Sequence, residues 1–94
     1  MASVLVRHKV NNYDTWRPIF EADGERRRAG GCTGTHLFRN LDNPNEVIIN
    51  LQWDSVENAR KFVANPGLEE VMKNAGVVDQ PDVYFLDDAG RTAS

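Results

Sequence analysis

Residues 46–53 read EVIINLQW, and this octapeptide constrains the fold more than any other stretch of the chain. Val47, Ile49, Leu51 and Trp53 alternate with Ile48, Asn50 and Gln52. An extended chain therefore carries one wholly apolar face and one mixed face. Asp54-Ser55-Val56-Glu57 follows directly, an acidic cap with Glu three residues on, which predicts a helix start with Asp54 at the cap. A strand that turns into a helix without a linker must place that helix against its own sheet.

The neighbouring segments extend the pattern. Residues 32–40, CTGTHLFRN, are rich in β-branched and aromatic residues, and the polar loop LDNPN joins them to residues 46–53 as a β-hairpin. Residues 4–10 form a first strand, broken by Asn11-Asn12. The stretch YDTWRPIFEADGERRRAGG sets Trp16, Ile19, Phe20 and Arg27 near helical spacing and ends at Gly30-Gly31. Pro18 belongs in a first helical turn, so the regular helix is expected from Asp14 or Thr15, just after Tyr13. Val56, Ala59, Phe62 and Val63 line a helix face after residue 54. Leu68, Val71, Met72 and Ala75 continue past Asn65-Pro66-Gly67, giving one helix broken at Pro66 or two in sequence. Residues 82–87, DVYFLD, form the last strand. The order β-α-β-β-α-β is the ferredoxin-like, α+β arrangement: a four-stranded antiparallel sheet with helices on one face. Residues 1–88 make one domain, and 89–94 a flexible tail.

The sheet face turned away from the helices is left bare, so a homodimer through that face is expected. Asn50 lies on it, a polar residue in an apolar strand that a self-complementary interface would satisfy.

With 94 residues, 11 basic and 14 acidic, the chain is one small domain of net charge −3. That balance argues against nucleic acid or an anionic membrane as partner. Arg26-Arg27-Arg28 reads instead as cations in the last turn of a helix. No apolar stretch approaches a membrane span, and MASVLVRHKV does not read as a signal peptide, so a cytoplasmic location is expected. The one cysteine, Cys32, excludes an intrachain disulfide and reads as a small strand residue. No zinc-spaced Cys/His cluster, Gly-rich phosphate loop or nucleophile elbow is present, which disfavours metal, nucleotide and acyl-enzyme mechanisms.

His8 is the residue that needs explaining. It takes the place of a valine in the series Val4, Val6, His8, Val10. Either it is a core histidine satisfied by one hydrogen bond, or its imidazole is a general base that titrates near neutral pH. For His36, the alternation of its strand leaves open which of two sets faces the helices: Gly34, His36 and Phe38, or Thr35, Leu37 and Arg39. Trp16, Phe20, Trp53, Phe62 and Tyr84 serve equally as core or as a flat aromatic pocket. Arg39 and Asn40, ending their strand, either meet an anionic or carbonyl oxygen or are simply solvated.

The segments VRHKVNNYDTW, HLFRNLDNPNEVIINLQWDSVENARKF and AGVVDQPDVYFLDD resemble the dimeric α/β-barrel superfamily, in particular its antibiotic biosynthesis monooxygenase-like and small polyketide-cyclase-like members. Trp53-Asp54-Ser55 with Ala59 and Phe62 is the most characteristic part. The resemblance implies a ligand cavity between sheet and helices and sheet-to-sheet pairing of two subunits. It implies a cofactor-independent monooxygenase or cyclase acting on a small aromatic or polyketide-like molecule. His8 would be the base, and Trp16, Phe20, His36, Arg39, Trp53, Phe62 and Tyr84 the residues around the substrate. The superfamily's haem-degrading members carry an axial histidine on the second helix. Residues 55–76 hold none, so no cofactor is expected. The same cavity in a non-catalytic, ligand-binding or stress-associated homodimer is the alternative.

Overall fold

A computed structural model describes residues 2–93. Its strands are β1 (Ala2–Lys9), β2 (Cys32–Arg39), β3 (Glu46–Trp53) and β4 (Asp82–Leu86), and its helices are α1 (Tyr13–Ala22), α2 (Gly24–Ala29), α3 (Val56–Ala64) and α4 (Pro66–Asn74). The strands form one antiparallel sheet in the order β2-β3-β1-β4, the ferredoxin-like arrangement. β3 keeps the bounds its alternation dictates, and β1 pairs with it in unbroken register from Ala2 opposite Trp53 to Lys9 opposite Glu46.

The apolar face of β3 makes the core. Val47, Ile49, Leu51 and Trp53 are buried together with Val4, Val10, Trp16 and Ala59. His8 lies opposite Val47 and is buried in the same layer. The opposite face carries rows of aligned residues, among them His36, Asn50, Leu5 and Tyr84 across the whole sheet.

The helices depart from expectation in four places. The first helical stretch begins at Tyr13 and not at Asp14 or Thr15, because the Asn12 side chain accepts from Thr15 N at 3.2 Å and caps it. Pro18 therefore sits inside α1, beyond its first turn. The stretch is also two helices, not one. Asp23, with φ −84° and ψ 3°, turns the chain between α1 and α2. After residue 54, the cap is Ser55 rather than Asp54: its Oγ accepts from Asn58 N at 3.1 Å. Of the two arrangements around Pro66, the chain takes the one with two helices. Asn65 is extended, as the residue before a proline prefers, and its side chain caps α4.

Gly31 joins α2 to β2 with φ +110°, and a Cβ there would meet Asp54 Oδ1 at 2.5 Å. Its carbonyl accepts from Asp54 N at 2.9 Å, so the glycine locks the end of β3 to the start of β2. None of α4 is buried, although Leu68, Val71 and Met72 keep their helical spacing. Those side chains wall a cavity instead of filling the core. No helix among the described residues is long and apolar enough to cross a membrane.

Candidate functional site

Between the helix-facing side of the sheet and helices α1, α3 and α4 lies a cavity of about 680 Å³. Its sheet side is built by Val4, Val6, His8, Ile49, Leu51 and Trp53. Strand periodicity alone puts these six on one face. Trp16 and Phe20 of α1 stack at 4.9 Å between ring centroids, and Phe62 of α3 lies 5.0 Å from Trp53. The lining is apolar and aromatic with a few polar groups, the composition of a small-molecule site.

His8 stands edge-on to Trp16, with centroids 5.6 Å apart and planes at 70°. Its Nδ1 is fully buried and has no hydrogen-bond partner among the described residues, and the same holds for Trp53 Nε1. A buried imidazole nitrogen and indole N–H without partners are costly for folding alone. Burial pushes the His8 pKa below the ordinary imidazole value, and the Asp79 carboxylate partly opposes that shift. The shift favours the neutral imidazole, the form that accepts a proton.

Asp79 also borders the cavity. It accepts from Arg7 Nη2 at 3.0 Å and from Lys9 N at 2.8 Å. Arg7 binds Glu46 and Asp82 as well, each at 2.8 Å. These ion pairs tie the segment before β4 to β1 beside His8.

Of the residues expected around a substrate, Trp16, Phe20, Trp53 and Phe62 line the cavity with His8, and His36, Arg39 and Tyr84 do not. Strand pairing accounts for the separation. His36 lies opposite Asn50, and Tyr84 opposite Leu5, all on the face away from the helices. His36 there stacks on Phe38 at 4.1 Å. Arg39 does face the helices, but its guanidinium covers the Tyr13 ring at 4.3 Å.

Arg27 was missed as a site residue. Its side chain is buried, borders the cavity and lies 3.7 Å over the Phe20 ring. The signal was present in its helical spacing with Trp16 and Phe20, and the arginine run around it masked that signal. The helix-end reading of the run does hold, since Arg26, Arg27 and Arg28 all lie in the last turn of α2.

A sheet with helices on one side and an aromatic cavity between the two layers defines a small ferredoxin-like domain. The model of the antibiotic biosynthesis monooxygenase family matches residues 6–74, and the chain belongs to that family. No curated protein sequence matches it significantly. Among solved structures it is similar to SnoaB, a cofactor-independent oxygenase from Streptomyces nogalater, at 17% identity and TM-score 0.70, covering 98% of this chain and 95% of that one. A monooxygenase from Streptomyces coelicolor in complex with nanaomycin D is similar at 20% identity and TM-score 0.69, covering 99% of this chain and 91% of that one. A protein from Mycobacterium tuberculosis is similar at 17% identity and TM-score 0.69, covering 99% and 98%. At these identities the structural likeness establishes the fold.

Proposed function

We propose that the protein is a cofactor-independent monooxygenase acting on a phenolic, polyketide-like aromatic molecule held in the cavity, with His8 as general base. The observation that carries this reading is the buried His8, whose Nδ1 has no hydrogen-bond partner among the described residues while the residue borders an aromatic cavity. A neutral imidazole takes a proton from a phenol or an activated ring C–H. The resulting delocalised anion is electron-rich enough to react with dioxygen. Trp53 Nε1–H, which has no acceptor among the described residues, would donate to the oxygen on which negative charge collects. Trp16, Phe20 and Phe62 hold the ring system flat. Family membership and the resemblance to a cofactor-independent oxygenase support the same reaction type. Cyclisation of a polyketide chain would begin with the same deprotonation, and product analysis separates it from oxidation.

The functional unit is a homodimer joined through the outer sheet face. Phe38, Tyr84 and Leu86 are exposed there, and Asn50 Oδ1 is buried without a partner. An apolar surface of this kind, with an unsatisfied amide at its centre, suits a second copy of the same face.

The test is oxygen uptake with fused-ring phenols in the absence of added metal or flavin. Uptake that tracks formation of a quinone product supports the reading. Saturable binding without uptake would assign the cavity to ligand storage or sensing.

A further inference from the structure

We propose that Arg27 is the anion-recognition residue of the cavity and receives a carboxylate carried by the aromatic ligand at the end remote from His8. The inference rests on the ligand reading of the cavity given above and narrows its substrate class to aromatic acids.

The guanidinium of Arg27 is enclosed but poorly compensated. Its one hydrogen bond among the described residues runs from Nη1 to the Phe20 carbonyl at 2.9 Å. The nearest carboxylate, Asp23, approaches Nη1 only to 4.0 Å. Asp23 is already committed to Arg26, which reaches it through Nε at 3.0 and 3.2 Å and through Nη2 at 2.8 Å. Arg28 adds a further positive charge to the same short helix. A buried cation whose counter-ion belongs to another arginine is an expensive arrangement for folding alone. An arriving carboxylate would complete it, because the planar guanidinium fork matches a carboxylate in two parallel hydrogen bonds.

The position fits a ligand that also reaches the base. His8, Trp16, Phe20 and Arg27 succeed one another in steps of 5.6, 4.9 and 3.7 Å. A fused-ring molecule lying along this aromatic wall has its reactive ring at His8 and its substituent at Arg27. The other charged groups bordering the cavity are Asp23, Glu69, Lys73 and Asp79. Asp23 is held by Arg26, Asp79 by Arg7 and Lys9 N, and Glu69 and Lys73 of α4 are exposed.

Both tryptophans border the cavity, so intrinsic fluorescence reports its occupancy. The full chain is titrated with anthraquinone-2-carboxylate and with the neutral anthraquinone-2-carboxamide. The wild-type protein should bind the carboxylate at least about tenfold more tightly, the scale of one hydrogen-bonded charge pair. Arg27→Gln should abolish that preference, and Arg27→Lys should keep part of it. Equal binding of both probes by the wild type would overturn the role of Arg27 and leave the cavity reading standing. So would a preference that survives in Arg27→Gln. Binding of neither probe would overturn both. If Arg27→Gln does not fold, Arg27→Lys decides the matter, because a preference undiminished in that variant would equally overturn the role of Arg27.

Discussion

The imidazole of His8 meets the indole of Trp16 edge to face, 5.6 Å between centroids, at the junction of β1 and α1. This contact fixes the ring that a valine would otherwise replace, and it leaves Nδ1 without a hydrogen-bond partner among the described residues. Stability and chemistry at His8 can therefore be separated by experiment.

Stability should depend on pH through this ring. Burial lowers the His8 pKa in the folded protein, while the unfolded chain keeps the ordinary value near 6.5. Above that value both states are neutral and His8 contributes no pH dependence. Below it the unfolded chain binds the proton first, so stability falls until the folded-state pKa is passed. Urea midpoints should drop between pH 7.5 and pH 5.5, and the drop should shrink in His8→Gln. An equal drop in that variant would place the titration elsewhere.

Trp53 is completely buried where β3 passes into α3. Trp53→Ala should cost about 3–5 kcal/mol through the cavity it leaves. Thermal unfolding reads this directly as a fall in Tm of more than about 10 °C for a domain this size. Trp53→Phe should retain more of the stability than Trp53→Ala, because it keeps an aromatic ring at the site, and should lose affinity for oxygen-bearing ligands, because it removes the indole donor.

Arg7 holds Glu46, Asp79 and Asp82 together, and Asp79 borders the cavity. Arg7→Met should release the segment before β4. Amide exchange at Lys9, whose N–H donates to Asp79, should accelerate, with little change at β2 and β3. Uniform acceleration over the whole sheet would mean that Arg7 supports the fold as a unit.

Much of this architecture was legible in the residues. The alternation of β3 is strict because one of its faces is fully buried, and its bounds followed from it. Pro18 misled, because the Asn12 cap sets the helix start at Tyr13 and so leaves the proline inside α1. His36 and Tyr84 were placed at the substrate because aromatic content carries no information about which face of a strand is which. Pairing with Asn50 and Leu5 settles that, and pairing is a long-range property. Arg27 was hidden because a buried cation and a solvated one read identically in a run of arginines.

Assembly is tested by charge. Phe38 is half-exposed on the outer sheet face, so Phe38→Glu should leave the fold of each chain intact. In sedimentation the wild type should run at twice the chain mass, and Phe38→Glu should shift it toward the single chain. A wild-type monomer at micromolar concentration would contradict the proposed dimer.

The central claim is that His8 is a working base in a ligand cavity. It is tested most directly by measuring oxygen uptake with fused-ring phenols for the wild type and His8→Gln, each verified as folded. The account predicts uptake by the wild type and a loss of about 10²-fold or more in the variant, with binding of the phenol largely retained. Equal uptake by the two proteins would contradict it.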